Sequence, residues 1–358
     1  MSYRTYLVWV VEMRGIGDDA GMRILSIGTD RKILEEGSAV RARQEAYARE
    51  FGHLDIIVFS LESHEQVQKY AYKSKSVAFR FIGVFPTRSW SRLFYGFDAW
   101  RIARRLLKPD VITVQDPFET GLAGLCVARI LGVPLHVQVH TDIAAQAWWR
   151  RVLAHLVLRR ASRIRAVSER IREDVMRRGV TAPITVLPIF VDVARLAWLP
   201  RIKHPRFTIA LLFAGRLEKE KHPCLAVDAL ATLRAAGHDA GLTIAGAGSE
   251  RALLEERTRR KGLERFVEFL PWQKDITPLL SQADIVLVPS RYEGYGMAIV
   301  EALAASIPVL ATDVGVAREA GAIVASEKDF ADALVRWAQS GPRQGALAPA
   351  FFEKLQGS

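Results

Sequence analysis

Glu293-Gly-Tyr-Gly-Met-Ala-Ile-Val-Glu301 decides the reading of this chain. Two carboxylates flank a Gly-x-Gly. The run before them, Ala283-Asp-Ile-Val-Leu-Val-Pro-Ser290, reads as a buried strand, and Met297–Ser306 reads as a helix. A strand, a glycine turn and a helix present backbone N–H groups and a positive helix end to a phosphate. Glu293 is then expected in the loop at the carboxyl end of a strand, where open α/β sheets bind ligands. Glu301 is expected in the first turns of the helix, on the edge of the same crevice. A loop carboxylate can hold sugar hydroxyls, and a helix carboxylate can hold a ribose. Two isolated glutamates would read as surface acids. The strand, the glycines and the following Pro308-Val-Leu-Ala-Thr-Asp-Val-Gly315 favour a site.

On these residues the chain resembles the retaining, nucleotide-sugar-dependent glycosyltransferases of family 4. Their fold, GT-B, faces two Rossmann-like domains across a cleft. The resemblance implies that Glu293 holds the sugar and that the N–H groups of Gly294, Tyr295, Gly296 and Met297 bind its hydroxyls. Glu301 would hold the ribose of the donor.

Gly215-Arg216-Leu217-Glu218-Lys219-Glu220-Lys221 is the second match, to the family's Gly-Arg-Leu-(spacer)-Lys element. Arg216 can grip phosphate oxygens as a planar fork, and Lys221 can act as a point charge. Together they would neutralise a diphosphate leaving group. Lys219 is the neighbouring alternative. Gly246-Ala-Gly248 ends another strand; such a turn is weak evidence by itself. Its place in the family pattern makes it a wall for the nucleobase or ribose. Trp272 stands at the matching position for base contacts, where packing is an equal alternative.

His136-Val-Gln-Val-His140 alternates like a strand. The two rings would then lie about 13 Å apart and could not share a metal ion. The resemblance implies a sugar-facing role for His140 near the reacting centre, and His136 reads as structural. Where the family often has a Gly-Gly pair after the first strand, this chain has Gly28-Thr-Asp-Arg-Lys-Ile-Leu-Glu-Glu-Gly37-Ser38. Gly37 and Ser38 precede a helix and could offer N–H groups to a phosphate. Asp30, Arg31 and Lys32 either touch the acceptor or are solvated loop residues.

The 358 residues suffice for two domains, and half of them are hydrophobic. No apolar run reaches the roughly 18–20 residues that span a bilayer. Tyr6–Val11 is too short for a secretory signal. Cys126 and Cys224 read as buried small hydrophobes, so a reducing cytoplasm is expected.

The net charge is +11. Residues 1–200 hold 30 Lys and Arg against 20 Asp and Glu, and residues 201–358 hold 20 against 19. A basic first half suggests an anionic partner or a generic arginine-rich surface. Trp148-Trp-Arg-Arg151, with Arg159, Arg160, Arg163 and Arg165, reads either as a membrane-interface surface or as a basic helix packing its Trp residues inward. No motif supports nucleic-acid binding.

Strand-like runs alternate with helical ones, which indicates parallel sheets. Strands are expected at Met22–Gly28, Leu54–Ser60, Val111–Gln115, Leu135–Val139, Ala161–Ala166 and Ile184–Pro188. Helices are expected at Ser38–Phe51, Ser89–Leu107 and Thr120–Leu131, the first capped by Ser38. A second series begins near Phe207. The expected layout is an acceptor domain over residues 1–195 and a nucleotide-sugar domain over 196–340. A tail over 341–358 is expected to cross back to the first domain. Met22 is a second candidate start, which would make residues 1–21 a poorly ordered extension.

The expected function is transfer of a hexose-type sugar from a UDP- or GDP-linked donor to a saccharide or lipid-linked acceptor, in surface polysaccharide or glycolipid synthesis. The protein would work in the cytoplasm, peripherally on the inner face of the membrane. No Asp-x-Asp ends a strand, and no Cys/His cluster has zinc spacing, so no essential metal is expected. The alternatives are a catalytically inactive membrane-associated GT-B scaffold and a GT-B sugar-nucleotide epimerase. A phosphorylase would need a cofactor-lysine context that is not seen.

Overall fold

Short apolar runs, each closed by a polar turn, become the strands of two parallel sheets. The computed structural model describes residues 22–65, 67–68 and 82–357. The first sheet contains β1 (Met22–Gly28), β2 (Gly52–Val58), β3 (Ile82–Pro86), β4 (Val111–Val114), β5 (Leu135–Val139), β6 (Arg163–Ala166) and β7 (Ile184–Val186). Their order is β3-β2-β1-β4-β5-β6-β7, and neighbours run parallel. The second contains β8 (Ile209–Ala214), β9 (Ala240–Ala245), β10 (Val267–Leu270), β11 (Ile285–Val288), β12 (Val309–Ala311) and β13 (Ile323–Val324). Their order is β10-β9-β8-β11-β12-β13, again parallel.

Each sheet is covered by the helices of its crossovers, so its central strands are apolar without alternation. Val111–Val114 and Ile285–Val288 are buried at every residue. Chain order reverses between β1 and β4, and again between β8 and β11. At such a point the carboxyl-end loops diverge and leave a crevice.

The chain divides into two compact units, one ending at Pro188 and one covering Ile189–Gly357. The helix Val193–Ala197, which straddles the expected boundary at 195/196, belongs with the second unit. Residues 1–21, read as an extension, lie outside the described residues. The tail 341–357 packs within the second unit. Phe351 of the helix Pro349–Gly357 is buried, with its ring 6.4 Å from that of Tyr295. Ala348 N–H donates to Ala320 O at 2.9 Å.

Ser38 caps the helix Ala39–Phe51 as expected, accepting from Arg41 N–H at 3.2 Å. The helix expected over Ser89–Leu107 is shorter, Tyr95–Ala103, behind a 3₁₀ turn at Arg92–Phe94. The reason is local. Ser89 bridges to Leu61 beside the sheet. Its hydroxyl donates to buried Asp98 at 2.7 Å, and Ser91 is extended.

The helix Glu119–Leu131 approaches β4 closely through Gly124. A Cβ there would stand 2.3 Å from Val114 Cγ1. Val114 is β-branched and stiff at χ1, so it cannot step aside cheaply. Gly124→Val is therefore expected to lower stability by about 1–3 kcal/mol through overpacking. Urea unfolding followed by far-UV circular dichroism would measure the loss.

Candidate functional site

The loops after β8 and β11 meet at the switch point of the second sheet. Lys221 closes a 3₁₀ turn, Lys219–Lys221, and its Nζ lies 2.5 Å from Glu293 Oε1. Ser290 Oγ donates to the same oxygen at 2.8 Å. Arg291 N–H donates to Glu220 O at 2.8 Å, so the two loops are also joined through backbone. Arg216 is exposed and pairs with Glu220 Oε1 at 2.9 Å. An exposed pair of this kind contributes little, so Arg216 can exchange Glu220 for a better anion at small cost.

Backbone contacts of unusual closeness shape the site. A Cβ on Gly246 would fall 1.9 Å from Gly215 O, and one on Gly248 would fall 2.3 Å from Leu217 O. Leu217 N–H donates to Ala247 O at 2.9 Å. Glu218 accepts from Ser249 through N–H at 3.1 Å and through Oγ at 2.7 Å, which holds its carboxyl below the usual range. Gly215, Arg216, Gly246 and Gly248 are thus brought together.

Gly296 caps the helix Met297–Ala304 at φ +92, a conformation that favours glycine. Among the described residues, the N–H groups of Gly294, Gly296 and Met297 have no protein acceptor. These are orphan donors of a helix start, beside the ammonium of Lys221. Tyr295 turns inward: its ring is buried, so it meets a ligand only through backbone. Its carbonyl accepts from Val316 N–H at 2.9 Å.

Glu301 lies on the same helix and is half-buried. Burial, and secondly the charge of Asp275, push its pKa up. Asp275 is held by Arg195 at 2.7 Å and by Thr277 N–H at 3.0 Å. Trp272 is 59% exposed and therefore free to stack.

Several site residues are not visible in the two motifs. Thr312 Oγ1 donates to Ser290 O and braces the loop that carries Glu293. A Cβ on Gly315 would stand 2.2 Å from Tyr295 O, at φ +50. Pro308–Gly315 was the signal for both. Arg195 and Asp275 left no signal, because they are distant in sequence.

In the first unit, His140 follows β5, with Nε2 3.1 Å from Gln138 Oε1. Its pKa is lowered to about 4 by burial and then by Arg165. His136 is buried and lowered to about 4 by burial and Arg163. Asp116, after β4, is raised by burial although it accepts from Phe118 N–H at 2.8 Å. Gly37 adopts φ +76 in a tight turn. Ser38 N–H donates to Glu35 O at 3.3 Å and its hydroxyl to Lys32 O at 2.7 Å. Ser38 thus caps its helix with an N–H already engaged.

Arg165 needs correction as a surface cation. It is buried, with Nη2 donating to Leu187 O and Pro188 O at 3.3 Å each. A buried guanidinium needs such acceptors, which a membrane-facing one would not. Trp148 and Trp149 are exposed, at 71% and 43%, so the inward-packing alternative fails for this helix.

A family model for Glycosyltransferase Family 4 matches residues 45–195, and one for Glycosyl transferases group 1 matches residues 208–340. The chain belongs to this family, and its fold is the two-domain α/β fold of the GT-B glycosyltransferases. It is similar to a GDP-mannose-dependent alpha-(1-6)-phosphatidylinositol dimannoside mannosyltransferase of Mycobacterium tuberculosis, 37% identical over 147 residues. That match covers 39% of this chain and 38% of the relative. A GDP-mannose-dependent alpha-mannosyltransferase of the same organism is 30% identical over 253 residues, covering 65% of this chain and 61% of the relative. The chain thus spans less than two thirds of these relatives. The Anabaena HepE crystal structure in complex with UDP shares the fold, with TM-score 0.68 and 18% identity, covering 90% of this chain and 91% of that one.

The raised Glu301 pKa has a consequence for stability. The folded chain holds a proton on Glu301 at pH values where the unfolded chain, near 4.5, has released it. Stability from this group is therefore complete below the unfolded value and declines as pH rises through the folded value. Glu301→Gln is expected to remove that decline. Urea titrations of both chains across the acidic range would show the variant gaining on the parent as pH rises.

Proposed function

We propose that the chain moves a hexose-type sugar, with retention, from a nucleoside diphosphate sugar to a saccharide or lipid-linked acceptor. The observation that carries this is the helix start at Gly294–Met297. The orphan N–H groups of Gly294, Gly296 and Met297 follow directly on Glu293, which Lys221 grips, so donors, a cation and a carboxylate share one crevice edge. A diphosphate needs cations, and sugar hydroxyls need a carboxylate and N–H donors.

In this reading Arg216 and Lys221 take the diphosphate as the sugar bond breaks. Glu293 and the N–H groups of residues 294–297 hold the sugar. Glu301 takes the ribose, Gly246 and Gly248 let the nucleotide lie against backbone, and Trp272 offers a face to the base. His140, directly after β5 in the first unit, is the residue proposed to take a sugar hydroxyl. The GDP-mannose-dependent relatives favour GDP, and the UDP complex of HepE favours UDP.

The acceptor reading draws on relatives that act on lipid-linked and lipopolysaccharide core substrates. No helix among the described residues is long and apolar enough to cross a membrane. The contact proposed is peripheral, on the inner face, through the exposed Trp148 and Trp149 and their neighbouring arginines.

Calorimetric titration of the full chain with UDP and with GDP tests the donor site. One nucleotide is expected to bind, and Arg216→Ala to weaken it roughly tenfold or more by removing charge-assisted bonds. Glu301→Ala is expected to weaken binding of the nucleotide but not of pyrophosphate. A folded chain that binds neither nucleotide would contradict the proposal.

Because Arg216 and Lys221 provide the positive charge, no divalent cation is required. Turnover of the donor that binds, followed by nucleotide release, is expected to persist in EDTA. Loss of turnover in EDTA, restored by Mg²⁺, would overturn that part.

A further inference from the structure

Gln138 is gripped from three sides. Register pairs it directly with Arg165 across β5 and β6, and Arg165 Nη1 donates to Gln138 Oε1 at 3.3 Å. On β4, Thr113 Oγ1 accepts from Gln138 Nε2 at 3.3 Å. His140 Nε2 lies 3.1 Å from the same Oε1. All three of Thr113, Gln138 and Arg165 are buried.

Elementary hydrogen-bond chemistry then decides the proton on His140. A guanidinium has five donors and no acceptor. The amide atom that faces Arg165 must therefore be oxygen, and the NH₂ group must turn to Thr113. Arg165 cannot swing away to allow a flip, because its other arm donates to the carbonyls of Leu187 and Pro188. An oxygen facing His140 Nε2 requires that Nε2 carry hydrogen.

We propose that Gln138 is a positioning residue that fixes His140 as the neutral Nε2–H tautomer, making Nδ1 a hydrogen-bond acceptor for a sugar hydroxyl. That the hydroxyl is a sugar's rests on the glycosyltransferase reading above; the tautomer does not. Arg165 is the charged group that faces the ring, and among the described residues no carboxylate lies within ion-pair distance of it. Burial and Arg165 both disfavour an imidazolium, in keeping with the lowered pKa. Neutral His140 accepts a hydrogen bond through Nδ1 and does not act as an acid. Thr113, Gln138 and Arg165 thus serve a group none of them touches a ligand through.

Long-range ¹H–¹⁵N correlation spectra of the ¹⁵N-labelled full chain test this without any substrate. The chain has eight histidines, and the spectrum of His140→Gln identifies the signals of His140 by subtraction. From about pH 5 to 8, where an ordinary histidine titrates, His140 is expected to keep Nε2 protonated and Nδ1 bare. Gln138→Glu puts a carboxylate against the ring and is expected to move its titration upward into that window. Gln138→Met, which has neither amide nor charge, is expected to let the Nδ1–H form appear. A wild-type His140 with Nδ1 protonated, or an imidazolium at neutral pH, overturns the proposal. So does a folded Gln138→Glu chain that keeps the wild-type titration. Failure here would leave nucleotide-sugar turnover standing, and failure of turnover would leave the tautomer standing.

Discussion

One oxygen of Glu293 receives both the ammonium of Lys221 and the hydroxyl of Ser290, at 2.5 and 2.8 Å. The site of the second unit depends on this meeting. Each charge alone, half-buried, would suffer desolvation. Paired, they tie the loop after β8 to the loop after β11 at the point where strand order reverses. Both contacts fall on Oε1, which leaves the other oxygen to a ligand. The backbone is built to the same end. Arg291 N–H reaches Glu220 O, Val316 N–H reaches Tyr295 O, and glycine at 315 lets those strands of loop close. Replacing either partner of the pair would leave the other charge uncompensated and would loosen two loops at once.

Much of this is legible in the sequence. Glu293, Gly296 and Glu301 could be placed because loop, turn and helix are local: neighbours in sequence are neighbours in space. The Gly-Arg-Leu stretch was legible for the same reason, and both sheets followed from alternating runs. What was hidden is what long-range packing decides. Gly246 looked like a weak Gly-x-Gly turn, and only the 1.9 Å approach to Gly215 O shows why no side chain fits. Tyr295 reads as a backbone N–H donor, and what the sequence hides is that its ring packs inward near Phe351. From sequence the tail is expected to cross back to the first domain, but buried Phe351 and Leu355 and the Ala348–Ala320 hydrogen bond hold it within the second unit. Arg165 looked like one more surface cation in a basic run. It lies within β6, a strand of a sheet covered by helices, and there a buried arginine can donate to buried carbonyls.

The basic first unit also reads differently once its arginines are placed. Arg150 is held by Glu119 at 2.8 Å and by Gln146 at 2.7 Å, and it lies 4.4 Å from the centre of the Phe118 ring. Arg178 grips Asp174, and Arg41 pairs with Glu45. Arg150 ties its helix to the start of the helix Glu119–Leu131, while Arg178 and Arg41 pair within their own helices. Each of these pairs sums to zero and is already cancelled within the net charge, so they fix internal geometry and leave the basic surplus of the first unit unchanged.

The two sheets repeat one strand order and use it for different chemistry. In the second unit the carboxyl ends of β8 and β11 gather cations and orphan N–H groups, as a charged diphosphate requires. In the first unit the carboxyl ends of β4, β5 and β6 gather Asp116, His140 and the arginine clamp behind Gln138. Asp116 is driven toward its neutral form by burial, and His140 is neutral for the same reason. A histidine kept neutral can take a hydrogen bond from a hydroxyl without adding a positive charge that would hold a phosphate. Burial rather than sequence charge sets that contrast. Arg165 supports the neutral His140 of the first unit from beneath the surface, through its grip on Gln138.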